Sequence, residues 1–367
     1  MRPVRGLQDA FQWAFQNRER LASVNPISTD VVRHNLRNLK LSTAFAGVCA
    51  PSCALECLAS AYQEGEGSGI AAYMSAIEWN PAAACELQAL PKPPECRFAD
   101  IMDFVGNSSL KQAIAVPCDM GDMSGTRDVL LKPGVVGLTA QCSEHGSLCT
   151  LRRATGHVAG TPCTDFSRIG AKRKDQGRTM ANLFVWVHLR MLLREPWVLC
   201  ENVEDFPATI LESLLGALYY VSTTVVCSHD TFGLPMARKR RYTLLVLKNG
   251  CALTRPLSCV KELFGRRRED TFTWREYLVA GSGELANELA WASKRPSALG
   301  PPLPVGDPRA FLKALTRDEE TTRRKYDNIA VNSVVSLNQR PDKRPSMSTS
   351  SVLHTITKNL TSCGSKS

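Results

Sequence analysis

Along the chain, short unbroken apolar runs bounded by Gly, Pro or charged residues alternate with longer stretches whose apolar positions recur every three to four residues. That is the pattern of strands alternating with helices. Residues 39–50 read as a strand entering a small-residue turn, and an Ala/Cys/Leu-rich helix follows to about residue 62. Strands are expected at 70–77, 97–101, 157–160, 197–203, 219–227 and 241–247, with helices at 179–194 and 207–218 between them. Residues 135–138 are also strand-like, and Leu7, Phe11, Ala14 and Phe15 make residues 1–38 an amphipathic helical extension packing onto the domain. Strand, crossover helix and strand in repetition predict an α/β doubly wound, mostly parallel sheet.

In such a sheet the chemistry gathers at the carboxyl ends of the strands. Three of those ends carry reactive side chains. The run His157-Val158-Ala159-Gly160 leads into Thr161-Pro162-Cys163, where Pro162 stiffens the backbone and a polar turn holds the thiol out of the core. The strand at 197–203 carries Glu201 and Asn202, and Arg238 and Arg240 stand at the start of the last strand. At the end of the second strand, Glu78 can accept both hydroxyls of a ribose and Trp79 can lie against an adenine. Cys49, Cys53 and Cys57 recur at helical spacing and read as a small-residue packing face. Cys142, His145 and Cys149 could ligate a metal, but no fourth ligand lies nearby in sequence, so no metal is expected.

The order Pro-Cys, Glu-Asn-Val, Arg-x-Arg resembles the cytosine-5 nucleic-acid methyltransferase family. The resemblance implies a Rossmann-like enzyme that uses S-adenosyl-L-methionine. In it the Cys163 thiolate attacks carbon 6 of a flipped-out cytosine, Glu201 contacts the base at N3 and its exocyclic amine, and Arg240 holds the base with Arg238 in support. It also implies cofactor contacts at Phe45, Gly47, Glu78, Trp79, Asp100 (Asp103 competing), Pro162, Leu183 and Asn332. Substrate contacts are implied at Ser167, Arg168, Asn202, Arg266 and Arg267. Cys49 and Ala50 stand where the family's cofactor loop has glycines, so their side chains are expected to crowd the methionine tail. Met236 replaces a Gln before the arginine pair, and Val331 replaces a Gly before Asn332.

The net charge of +10 and a pI near 9.0 favour a polyanionic partner. The charge is clustered at Arg152-Arg153, Lys172-Arg173-Lys174, Arg238 to Arg241 and Arg266 to Arg268. DNA is the expected substrate. Transfer RNA is the alternative, because Phe166-Ser167-Arg168-Ile169-Gly170 also resembles the Phe-Thr-Arg-Ile-Gly of the small eukaryotic branch that modifies transfer RNA. A catalytically inactive relative that binds nucleic acid or a protein is the third reading. An apolar content of 44% is that of a globular core, and no apolar run reaches the length of a membrane span. A soluble nuclear or cytoplasmic monomer is expected, with the fourteen cysteines reduced. The domain reading is a helical extension at 1–38, a catalytic domain at 39–250 with a divergent insertion at 104–154, a small target-recognition region at 251–320, a returning helix at 321–338 and a mobile tail at 339–367.

Overall fold

A computed structural model describes residues 12–24, 29–62, 69–106, 111, 124–162, 166, 179–232, 234, 236–264, 286, 290, 310, 313, 315–325, 334–336, 347–348, 353–354 and 362–363. The chain divides into two compact units. The first is essentially Gln12–Val226 with Lys239–Phe264, and the second takes Cys227–Arg238 and Gly265–Ser367.

The first unit is built on β1 (Lys40–Ala44), β2 (Ala72–Ile77), β3 (Cys96–Phe98), β6 (Gly156–Gly160), β7 (Trp197–Val203), β8 (Tyr219–Cys227) and β10 (Lys239–Leu247). They form one seven-stranded sheet in the order β3-β2-β1-β6-β7-β10-β8. The pairs β1–β2, β2–β3, β1–β6 and β6–β7 are parallel, and β10 lies antiparallel to β7. Successive residues of the central strands enter different cores: Val158 joins one apolar cluster and Ala159 the other, as do Leu199 and Val198. The sheet is therefore apolar on both faces, which is why its strands read as continuous runs rather than as alternations.

Helices cover it. The core helix Thr179–Leu193 buries eleven of its residues, among them Leu183, Trp186 and Leu189. Its Trp186 donates from Nε1 to Nε2 of His157 on β6 at 3.0 Å, and the other ring nitrogen of His157 faces Ser42 Oγ on β1 at 2.7 Å. Nε2 accepts, so Nδ1 carries the proton. Burial, and then the nearby Arg190, hold His157 well below the usual histidine range. Arg190, itself buried, pairs with the buried Glu195.

Helices Trp13–Val24 and Thr29–Arg37 belong to this unit, through Ala14 and Leu36 in the same cluster as Tyr62 and through Arg18 and Arg33, which donate to the carbonyls of Ala61 and Tyr62. Phe15, expected on the packing face, is 48% exposed; Leu7 and Phe11 lie outside the described residues. Within 104–154, the expected strand at 135–138 is instead a turn with an isolated bridge from Val136 to Val105. The regular pairing there is the hairpin β4 (Thr139–Gln141) and β5 (Leu148–Thr150). Gly134 and Gly250 take positive φ in these and later turns.

In the second unit, β9 (Met236–Ala237) pairs with β13 (Leu353–His354). The helix expected at 321–338 runs instead over Arg317–Lys325. Val334–Ser336 is a strand, β11, paired with β12 (Met347–Ser348) and β14 (Ser362–Cys363). Two β-branched valines favour that extended backbone, and the stretch read as a tail supplies its partners.

Candidate active site at the strand ends

The strand order reverses at β1, whose neighbours β2 and β6 lead outward in opposite directions. A crevice outside the carboxyl ends of β1 and β6 is the position such a sheet offers to a ligand.

On the β1 side the chain turns through Phe45, Gly47 and Cys49, all with positive φ (53, 54 and 55°). Only Gly47 adopts this without cost, and a Cβ there would meet nothing within 4 Å. The loop is fastened to the end of β2. Glu78 accepts from Gly47 N at 2.7 Å through Oε2 and from Asn80 N at 2.8 Å through Oε1. Glu78 is 7% exposed, and Trp79 beside it is 72% exposed. A buried carboxylate between two strand-end loops, next to an open glycine and an exposed indole, fits the ribose and adenine of a nucleoside cofactor.

The expected crowding by Cys49 is overturned. Its left-handed backbone turns the side chain into the core, where it is fully buried and its Sγ lies 3.0 Å from the Tyr73 hydroxyl. Burial raises its thiol above the ordinary range. Cys53 and Cys57 are exposed, so of that stripe only Cys49 packs. Ala50 opens helix Ala50–Tyr62 with its side chain exposed.

Asp100 follows β3 and caps the short turn Ile101–Phe104, accepting from Met102 N at 2.9 Å through Oδ1. Asp103 pairs with Lys111 at 3.0 Å. Leu183 is 2% exposed in the main core, which gives it a packing role whatever else it touches.

On the β6 side, Gly160 is in register with Glu201, and a Cβ on Gly160 would lie 3.5 Å from the Phe45 carbonyl and 3.7 Å from Glu201 Oε2. The ends of β1, β6 and β7 thus converge within a few ångströms. Glu201 Oε1 meets Arg240 Nε at 2.8 Å, both side chains part-exposed at 31% and 20%. Antiparallel β10 makes this pairing: it begins where β7 ends, with Arg240 opposite Val203.

Asn202, read from sequence as a substrate contact, is 2% exposed. Its Nδ2 donates to Thr161 Oγ1 at 2.7 Å, and its Oδ1 accepts from Val203 N at 2.8 Å. It therefore positions the backbone just before Pro162. Phe166, three residues beyond Cys163, packs edge-on to Phe206 with ring centroids 5.2 Å apart. Burial pushes Cys200 up to about 12, a buried strand thiol unsuited to nucleophilic work. Arg238 falls in the second unit, where its carbonyl accepts from Ser228 N at 3.0 Å. Arg241 donates twice to the Glu204 carbonyl. Cys163, Ser167, Arg168, Arg266, Arg267 and Asn332 lie outside the described residues.

The expectation of no metal ligand set is overturned as well. Cys96 on β3 supplies the fourth ligand that the sequence did not place near Cys142, His145 and Cys149, and the four ligand atoms lie within 4.8 Å of one another.

Residues 150–261 match the family model of the C-5 cytosine-specific DNA methylase. No curated protein matches. Among solved structures, a DNA modification methyltransferase encoded within an E. coli prophage is 16% identical at a TM-score of 0.38, over 66% of this chain and 55% of that one. The S. pombe Dnmt2 methyltransferase is 16% identical at a TM-score of 0.41, over 66% of this chain and 62% of that one. The chain thus spans less than two thirds of the length of either. The segment that matches this family model holds β6, Pro162, Cys163, Glu201 and Arg240.

Proposed function

We propose that the protein transfers a methyl group from S-adenosyl-L-methionine to carbon 5 of cytosine in DNA, through a covalent adduct with Cys163. The observation that carries this reading is the Glu201–Arg240 pair at 2.8 Å, beside the Gly160 strand end that enters Pro162-Cys163. Carbon 5 of cytosine is a weak nucleophile until a thiolate has added at carbon 6. The addition is eased when an acid group meets N3, and Glu201 stands at the strand end where it can do that and accept from the exocyclic amine. Arg240 orients the carboxylate and adds positive charge favouring a neighbouring thiolate. Asn202 fixes Thr161, two residues before Cys163, and Phe166, three residues after it, packs on Phe206.

When bound, S-adenosyl-L-methionine supplies an electrophilic methyl. Glu78 would hold its ribose hydroxyls, Trp79 and Asp100 would flank its adenine, and the backbone of Phe45 and Gly47 would leave room for its tail. By the family resemblance, Ser167, Arg168, Arg266 and Arg267 would contact the DNA, Pro162, Leu183 and Asn332 the cofactor, and Arg238 would support Arg240. The flipped base costs about a few kcal/mol of stacking, which phosphate contacts from the basic clusters offset. The working protein would act where that DNA lies, in the nucleus or the cytoplasm.

Labelled-methyl transfer to duplex DNA and to unmodified transfer RNA at one ionic strength tests the reading. DNA should be methylated, Cys163→Ala should abolish transfer, and 5-fluorocytosine in the duplex should trap a denaturant-resistant adduct. Faster methylation of transfer RNA, unchanged by an Arg266/Arg267/Arg268→Ala variant, would show that the Phe166 to Gly170 resemblance was the better guide to substrate. Failure to methylate either polymer, with nucleic-acid binding retained, would identify an inactive relative.

A further inference from the structure

The hairpin β4–β5 lies against the edge strand β3. Phe98 bridges Cys142 in antiparallel fashion, and Ser143 N donates to the Arg97 carbonyl at 2.8 Å. Between its strands the hairpin carries a tight knuckle: Cys142 N donates to the Ser147 carbonyl at 2.9 Å, Gly146 N donates back to the Cys142 carbonyl at 3.0 Å, and Gly146 takes φ +61°. The knuckle aims three groups at one point, and β3 supplies the fourth. His145 Nδ1 lies 3.4 Å from Cys142 Sγ, 3.3 Å from Cys149 Sγ and 3.8 Å from Cys96 Sγ. All three thiols are free.

A zinc ion bound at about 2.3 Å by sulfur and about 2.0–2.1 Å by nitrogen in a tetrahedron has nitrogen-to-sulfur edges of about 3.6 Å. The three distances bracket that value. Hydrogen bonding alone gives no reason for three thiols to share one imidazole nitrogen, whereas a tetrahedral ion does. We infer that Cys96, Cys142, His145 and Cys149 form a closed zinc site that fastens the β4–β5 hairpin to strand β3. Three thiolates and an imidazole select zinc over the oxygen-seeking cations, and four protein ligands leave no open position for catalysis.

The site has a local purpose. Edge strand β3 is only three residues long, yet it leads into the Asp100 cap and accepts Glu78 N at the Phe98 carbonyl, 3.0 Å away. Arg97 joins the knuckle to helix Pro81–Gln88, pairing with Glu144 at 3.0 Å and donating to the Ala84 carbonyl. The ion would hold what so short a strand cannot hold by backbone bonds alone.

The test is elemental analysis of the full chain purified under reducing conditions without chelator, with cobalt(II) added to metal-stripped protein. About one zinc per chain is expected, and cobalt should give the intense visible bands of a tetrahedral thiolate site. His145→Ala and Cys149→Ser should lose the metal, while His145→Cys, which keeps four ligands, and Cys53→Ser, which touches none, should retain it. Chelator should lower the melting temperature of the wild type and leave that of His145→Ala unchanged. Wild-type protein that holds no zinc and gives no tetrahedral cobalt spectrum would overturn the inference, as would full metal retention in both His145→Ala and Cys149→Ser. Methyl transfer is not needed as a readout, so this result stands apart from that of the methylation assay.

Discussion

Glu201 and Asn202 are adjacent, yet one faces the crevice and the other the core. Glu201→Gln keeps the shape and removes the acid, so turnover should fall by about 10²–10⁴-fold with the melting temperature nearly unchanged. Asn202→Ala would remove the 2.7 Å amide donor from the buried Thr161 hydroxyl. It should cost about 1–3 kcal/mol in denaturant unfolding and lower activity through a misplaced Pro162 turn. At Cys49 the buried side chain changes what the loop predicts. Cys49→Gly should destabilise the protein while leaving S-adenosyl-L-methionine affinity within about twofold by calorimetry, because the thiol points to Tyr73 and away from the crevice. His157 supplies a pH dependence. Its folded-state value is depressed, so below about pH 6.5 the unfolded chain binds a proton that the folded chain refuses, and stability falls as pH falls. Thermal melts from pH 7.5 to 5.5 should drop more steeply for the wild type than for His157→Gln.

Among the elements, β6 is the one whose placement everything else depends on, and a glycine sets it. The Trp197 ring lies across Gly156, where a Cβ would come within 2.0 Å of it. The indole cannot swing away cheaply from a strand packed on both sides, so Gly156→Ala should cost about 1–3 kcal/mol or more. The measurement is urea unfolding, and a neutral result would mean that the β6–β7 register is softer than its pairing indicates. Beyond β6, Phe166 packs against Phe206. Phe166→Ala should lower the catalytic rate more than it weakens DNA binding, since it removes an anchoring contact three residues from Cys163 and no basic side chain.

For the whole molecule, charge and topology act separately. A net charge of +10 predicts affinity for nucleic acid that falls steeply with salt, whatever its sequence. That affinity should persist in Cys163→Ala when binding is titrated between about 50 and 200 mM salt. Among the described residues no helix is long and apolar enough to cross a membrane. The unit boundary passes between Arg238 and Lys239, and Arg240 belongs to the same unit as Glu201, with which it pairs.

By itself the sequence determined the strands and helices of the parallel sheet, because strands buried on both faces leave unbroken apolar runs and each is bounded by its own local breakers. It also pointed to the strand ends, since Glu78, Pro162 and Glu201 each stand at or near the end of such a run. Tertiary structure alone decided which way a side chain turns at a strand end: Asn202 differs from Glu201 only by the alternation of β7, and Cys49 faces inward only because its backbone is left-handed. It alone brought Cys96 to Cys142, His145 and Cys149, for these ligands meet through a pairing of β3 with a distant hairpin. Spacing along a chain records contacts within one element, and contacts between elements are set by the sheet order that the whole core selects.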